Sequence, residues 1–206
     1  NLLNYGDPKS IPGTVAATTL SGAVETLARK YVAGENMQQV LKSIEKMRKQ
    51  SMAFTVDLLG EAVITEVEAE AYLNQYLTLM EQLANAAKSW REVPQIDVAD
   101  GQKLPRVQVS VKLTAFYSQF DPLDVEGSRE KVGHHIRTLL RRAEELGVAV
   151  HFDMEQYRYK DATIETLKLL LMEDEFRART DIGVTIQAYL RDSYEDLKGW
   201  IEWAKK

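Results

Sequence analysis

Four side chains in this sequence could work on one substrate: Asp57, Lys112, Asp153 and Gln187. Each closes a short segment that reads with period 2, apolar on one face and small or polar on the other. In MAFTVD, Ala53, Thr55 and Asp57 oppose Met52, Phe54 and Val56. In VQVSVKL, Gln108, Ser110 and Lys112 oppose Val107, Val109, Val111 and Leu113. VAVHFD sets Ala149, His151 and Asp153 against Val148, Val150 and Phe152, and IGVTIQ sets Gly183, Thr185 and Gln187 against Ile182, Val184 and Ile186. In parallel strands, equal parity aims all four closing residues at one volume. Two acids flanking a lysine hold it protonated by opposite-charge attraction. A protonated lysine clamps an anionic group such as a carboxylate, and it is a poor nucleophile. A lone lysine at a strand end is otherwise a surface residue or an ion-pair partner; recurrence of the pattern in four strands argues for the site.

Other candidates carry less. His151 lies on the Asp153 face but two residues deeper, where a hydrogen-bonded core histidine is the simpler role. His134 and His135 fall on a helical stretch and read as packing or surface residues. No His and carboxylate set has metal-ligand spacing, and the chain has no G-x-S-x-G. Glu61, in DLLGEA just past the first strand, either completes the site or starts the next helix.

The elements that must position these groups alternate. A strand at 52–58 precedes a helix from Thr65, whose Thr65/Glu68 pair is a capping box and whose apolar face is Ala69, Tyr72, Leu73, Tyr76, Leu79, Met80 and Leu83. Residues 90–105 read as a surface loop. Strand 107–113 leads to a helix capped by Ser128 and ended by Gly147, with Val132, Ile136, Leu139, Leu140, Ala143 and Leu146 inward. Strand 148–153 runs into helix 161–173, and strand 182–187 into helix 194–205. Before all of these, residues 1–50 carry no strand signal. After an irregular opening, Leu20, Val24, Leu27, Ala28 and Tyr31 form one helical stripe with Gly34 as its stop. Met37, Val40, Leu41, Ile44 and Met47 form a second, both expected as packing surface.

Alternating strands and helices predict an α/β fold with a parallel sheet. Strands with one apolar face favour a barrel, with helices outside only, over an open sheet covered on both faces. No glycine-rich phosphate fingerprint follows the first strand. A closed barrel takes about eight such units. The expectation is therefore a helical lead-in over 1–50 and the first four units of a (βα)8 TIM-type barrel over 51–206.

The bulk properties exclude several classes. The chain has 206 residues, 45% hydrophobic and 28% charged, with a net charge of −5 and no cysteine. There is no basic footprint for nucleic acid, no apolar run able to span a bilayer, no disulfide framework and no thiolate metal site. An intracellular protein is the simplest fit. Asn1 stands where a start would carry Met, and the last helical pattern stops at Lys206, so the chain reads as cut from something longer at both ends.

The segments SMAFTVDLLGEAVITEVEAEAY, VQVSVKLTAFYSQFD, VAVHFDMEQY and IGVTIQAYLRD resemble, in order, the successive strand-end motifs of the proline dehydrogenase family. The resemblance runs over about residues 30–206. DLLGEA, SVKLTA and IQAYLR are specific together and weak singly. The lead-in ARKYVAGENMQQVLKSIEKMR resembles the segment before the barrel in the long bifunctional form, often called proline utilization A. The resemblance implies a distorted (βα)8 barrel holding FAD, which oxidises L-proline to 1-pyrroline-5-carboxylate by hydride transfer to the flavin N5. It implies a quinone-type electron acceptor at the membrane, a cytoplasmic location peripheral to that membrane, and homo-oligomers. By the same resemblance, Lys112 holds the proline carboxylate and Asp57 supports the cationic substrate-binding groups. Asp153 stands near the flavin and its arginine neighbours, Thr185 packs near the ring, and Gln187 hydrogen-bonds the isoalloxazine.

Two departures temper it. The family's paired arginines on the last helix, its fifth-strand arginine and its flavin-phosphate contacts belong to segments beyond these 206 residues. His151 and the Met154-Glu155-Gln156 run replace the commoner D-A-E-E pattern. The expectation is that the 206 residues alone bind FAD weakly or not at all and are inactive. Two readings compete with the family one. The first is a (βα)8 lyase or aldolase using Lys112 as a Schiff base. The second is a non-catalytic half-barrel that pairs with another chain.

Overall fold

The structure is a computed structural model that describes residues 19–24, 27, 31–59, 63–154 and 156–205. Glu61, named above as a candidate, and Ala28 lie outside them. The chain divides into two compact units, residues 1–50 and 51–206.

In the first unit, residues 19–24 are helical and expose Leu20 and Val24; Leu27 and Tyr31 are exposed as well. The four described residues of the first stripe are therefore exposed rather than packed. Helix α1 (Met37–Lys49) is capped by Asn36, whose side chain accepts from the Gln39 amide. It buries Ile44 and leaves Lys42, Lys46 and Lys49 in water.

The second unit is built on four parallel strands: β1 (Val56–Asp57), β4 (Val107–Lys112), β5 (Val148–Asp153) and β6 (Ile182–Val184), adjacent in that order. Each crossover carries a helix: α2 (Glu66–Ala87), α4 (Val125–Leu146) and α5 (Lys160–Leu171), with α6 (Ser193–Ala204) after β6. The valine faces of β4 and β5 are essentially inaccessible, packed under Tyr76, Met80 and Leu83 of α2 and Val132, Ile136, Leu139 and Leu140 of α4. Phe152, Ile182 and Val184 turn the same way, toward Leu167 of α5 and Trp200 of α6. The helices thus cover the apolar face, and the small and polar face looks away from them. This is an α/β, barrel-like arrangement.

Local chemistry sets the element ends. Thr65 and Glu68 form the expected capping box, with Glu68 N–H donating to Thr65 Oγ1 at 3.2 Å and Thr65 N–H to Glu68 Oε2 at 3.0 Å. Gly147 ends α4 at φ +65°, the left-handed conformation a glycine takes without strain.

Several boundaries differ from the sequence reading. Helix α4 starts one turn earlier, because Asp124 takes the cap through the Gly127 amide, while the Ser128 hydroxyl turns to the Asp121 backbone. Strand β1 is two residues long rather than seven. Its register pairs Val56 with Val109, so residues before Phe54 would lie opposite Pro105 and Arg106, outside β4. Strand β6 stops at Val184, since its partner Phe152 is next to the last residue of β5. Leu113 leaves the strand for a 3-10 turn, Leu113–Phe116.

The stretch 90–105 is more ordered than a loop. It holds a short helix α3 (Pro94–Asp97) and an antiparallel pair, β2 (Val98–Ala99) and β3 (Gln102–Lys103), joined through Asp100-Gly101, both at positive φ.

Candidate functional site

Parallel pairing stacks the polar face into rows, because residues directly paired across neighbouring strands point to the same side. Asp57, Ser110, His151 and Gly183 are successive partners in one row. Lys112 and Asp153 are partners in the next row, toward the C-terminal ends of the strands. The four-strand parity argument thus brings Asp57, Lys112 and Asp153 together. Gln187 is the exception: it lies beyond β6, in the loop that follows, and returns to the site by donating through Nε2 to the Met154 carbonyl at 3.1 Å.

Within the rows, the two acids are not equivalent. Lys112 is buried, and its Nζ sits 2.5 Å from Asp57 Oδ2, reaching back one row to do so. Asp153 stands in Lys112's own row but takes its hydrogen bonds elsewhere: Ser110 Oγ donates to its Oδ2 at 2.6 Å and Thr185 Oγ1 to its Oδ1 at 2.7 Å. The expected lysine between two acids is thus a lysine paired with Asp57 beside an aspartate held by two hydroxyls. The hydroxyls win at Asp153 because Ser110 on β4 and Thr185 just past β6 reach it with short side chains, whereas Lys112 is long enough to span a row.

Asp57 is itself fixed from below. Tyr76, fully buried on α2, accepts the Leu58 amide at 3.1 Å and shares its one proton between the Ser110 carbonyl, 2.6 Å away, and Asp57 Oδ1, 3.0 Å away. Burial pushes the Tyr76 hydroxyl far above the ordinary tyrosine range, so it remains a neutral donor. Tyr72 caps the same turn by donating to the Leu58 carbonyl at 3.0 Å. The rings of Tyr72, Tyr76 and Phe116 pack edge-on and tilted, with centroids 5.2–6.0 Å apart.

His151 is half-buried, and its ring rests on Gly183: a Cβ added at Gly183 would lie 2.4 Å from His151 Nδ1. The sequence reading expects a hydrogen-bonded core histidine here; among the described residues the ring's close neighbour is Gly183. His135 Nδ1 lies 2.7 Å from the Phe116 carbonyl and tethers the turn after β4. Among the described residues no cluster of His, Asp and Glu could hold a metal ion, and no helix is long and apolar enough to cross a membrane.

Three contributors escaped the sequence reading. The period-2 pattern puts Ser110 on the polar face and gives it no role. The helical pattern makes Tyr76 apolar packing, although a buried phenol needs a partner for its hydroxyl. Lys160 begins α5 and is buried between Asp192 and Asp196, and nothing in the local pattern marks it.

A family model described as Proline dehydrogenase matches residues 40–206. A crystal structure of proline utilization A from Bdellovibrio bacteriovorus, inactivated by N-propargylglycine, is similar over 93% of this chain and 20% of that one, at 42% identity and a TM-score of 0.88. Proline dehydrogenase 1 of Bacillus subtilis (strain 168) is 28% identical over 171 residues, 83% of this chain and 47% of that protein. The Bifunctional protein PutA of Salmonella typhimurium is 23% identical over 167 residues, 81% of this chain and 12% of that protein. The chain thus spans about half the length of the Bacillus relative and a small part of the bifunctional ones.

Proposed function

The chain belongs to the proline dehydrogenase family, and from that premise we propose that it takes part in the FAD-dependent oxidation of L-proline to 1-pyrroline-5-carboxylate. The observation that carries the reading is the Lys112–Asp57 pair at the C-terminal end of parallel strands, where barrel enzymes place their chemistry. An ammonium has three donors, and Asp57 accepts one of them. A substrate carboxylate can take another without displacing the aspartate. Asp57, with its second oxygen on Tyr76, keeps the lysine aimed and balances its charge.

The other side of the face fits a flat ring with a polar edge. Gly183 has no side chain, Thr185 and Gln187 are half-buried, and together they offer a hydroxyl and an amide beside the Asp153 carboxylate. Asp153, Thr185 and Gln187 are therefore the residues that would hold the isoalloxazine. When bound, FAD supplies the acceptor for the hydride that proline loses. The protein's part is orientation: a carboxylate tied to Lys112 on one side, a ring tied to Gln187 on the other.

The same reading makes the four βα units the first half of a (βα)8 barrel, with residues 1–50 as its helical lead-in. The parallel strand order, the helices on one face and the likeness at TM-score 0.88 support it. A quinone-type acceptor, a peripheral membrane location and a homo-oligomer rest on the family resemblance alone.

The test is the visible spectrum of the full-length protein before and after anaerobic addition of L-proline. An oxidised-flavin band that bleaches with proline is the expected result. A protein that takes up no FAD, or a flavin that proline leaves oxidised, overturns the proposal. The variant Lys112→Ala should keep its flavin and raise KM for proline about 10- to 150-fold, the equivalent of about 1.5–3 kcal/mol for a charge-assisted bond. Loss of flavin with unchanged KM would misplace the lysine.

A further inference from the structure

The loop after β6 carries Gln187 but has no sheet partner beyond Thr185, so something other than the strand ladder must set its height over the site. Among the described residues, five contacts lace it to the β5 side. Thr185 N–H donates to the Phe152 carbonyl at 2.9 Å and Thr185 Oγ1 to Asp153 at 2.7 Å. Gln187 donates to the Met154 carbonyl, and the Tyr157 hydroxyl donates to Asp192 Oδ2 at 3.1 Å. The last and strongest is ionic: Lys160 Nζ stands 2.6 Å from Asp192 Oδ2 and 2.7 Å from Asp196 Oδ2.

Lys160 is not an incidental surface pair. Its side chain is 7% accessible, and two aspartates 32 and 36 residues away in sequence converge on it, with neighbouring Asp161 at 3.4 Å. Burial disfavours its charge, yet the hydrogen bonds to Asp192 and Asp196 more than offset this and hold its pKa above the ordinary lysine value. Asp192 immediately precedes α6; its backbone is already helical, at φ −94° and ψ −2°, and its side chain makes no cap. Its carboxylate accepts from Lys160 and Tyr157. An ion pair that ties the first residue of α5 to the start of α6, 32 and 36 residues away, has the geometry of a latch.

We propose that Lys160 is a positioning residue: by clamping Asp192 and Asp196 it locks the 185–192 loop onto β5 and so sets Gln187 and Thr185 for the flavin. The proposal rests on the flavin reading above. Lys160 is one residue past the Tyr157–Tyr159 turn and touches neither Lys112 nor Asp57, so proline's carboxylate contact should not depend on it.

The experiment compares wild type, Lys160→Met and Asp192→Asn in the full-length protein, by amide hydrogen exchange, FAD titration and steady-state kinetics. Methionine keeps the length of the buried chain and removes the charge; asparagine keeps the size of the aspartate and removes its charge. Exchange at 185–192 should rise at least tenfold in either variant while 107–112 is unmoved. The FAD Kd should rise at least tenfold, with KM for proline within twofold on flavin-loaded protein, and the double variant should cost less than the sum of the two. Faster exchange with an unchanged FAD Kd reduces Lys160 to a purely structural clamp and overturns the proposal, as does unchanged exchange in 185–192. Should Lys160→Met not fold, Asp192→Asn and Tyr157→Phe carry the same readouts. A wild type that takes up no FAD overturns the functional reading and this inference with it. Wild-type binding that both variants retain overturns the inference alone.

Discussion

The Tyr76 hydroxyl offers a clean perturbation, because Tyr76→Phe removes one oxygen and leaves the ring where Tyr72 and Phe116 hold it. That oxygen makes two hydrogen bonds at any moment: it accepts the Leu58 amide and donates its single proton to the Ser110 carbonyl or Asp57. Each such bond is worth about 1 kcal/mol net, and the buried Ser110 side of the contact has no ready substitute in water, so the loss should be about 2–3 kcal/mol. For a chain of this size that is a fall in Tm of about 4–12 °C. Urea unfolding should show a lower midpoint with an unchanged slope, because the variant exposes no new surface. The functional consequence is separate. Asp57 loses the partner on Oδ1 and can rotate, which loosens the Lys112 clamp; KM for proline should rise about three- to tenfold, equivalent to about 0.7–1.4 kcal/mol, with kcat little changed. Stability within about 0.5 kcal/mol of wild type would refute the hydrogen-bond account. A destabilised variant with wild-type KM would show that Tyr76 holds the strand end but not the aspartate.

Gly183→Ala should cost about 1–3 kcal/mol, because the new Cβ falls 2.4 Å from His151 Nδ1 and the ring must swing away; His151→Ala in the same chain should recover most of the loss in a double-mutant cycle read by urea midpoint. The Lys160 latch should also shape stability against pH. Lys160 is raised, so its contribution is fully present below the unfolded lysine value of 10.5 and is lost only as pH climbs through the higher folded value. Asp192 is lowered, chiefly by its hydrogen bond from Lys160, so its contribution is present above the unfolded value of 3.8 and is lost as pH falls through the lower folded one. The latch should therefore leave the urea midpoint flat between about pH 5 and pH 9. Asp192→Asn should flatten part of the fall below about pH 4, and an acid limb identical to wild type would contradict the assignment.

What was legible in the sequence followed from the strand period, and what was not followed from where the ladders end. Parity along MAFTVD, VQVSVKL and VAVHFD put Asp57, Lys112 and Asp153 on one face because parallel pairing preserves parity across strands, and the structure keeps them in adjacent rows. Parity could not say which acid would meet the lysine. That depends on side-chain length against row height, and Ser110 and Thr185 reach Asp153 first. The same rule misplaced Gln187, since a period-2 reading does not know that β5 ends at Asp153 and that its neighbour β6 ends at Val184, three residues before the glutamine. The Asp100-Gly101 turn carries a hairpin dipeptide, but its flanks lack the apolar alternation that usually announces a hairpin.

The proposed site therefore has two kinds of support, with different vulnerabilities. The side proposed for proline is built on the ladder itself: Asp57, Ser110 and Lys112 stand on paired strands, and Tyr76 rises to them from a helix whose face is buried along its length. The side proposed for the flavin leaves the ladder after Thr185 and is held by contacts that come from 32 to 36 residues away. Substitutions on the first side should move stability and substrate affinity together, because one set of hydrogen bonds serves both. Substitutions on the second should separate them, since the loop can loosen while the sheet beneath stays folded. A Tyr76→Phe variant that loosened FAD without destabilising the fold, or a Lys160→Met variant that unfolded the sheet without touching FAD, would show that this division of labour is wrong.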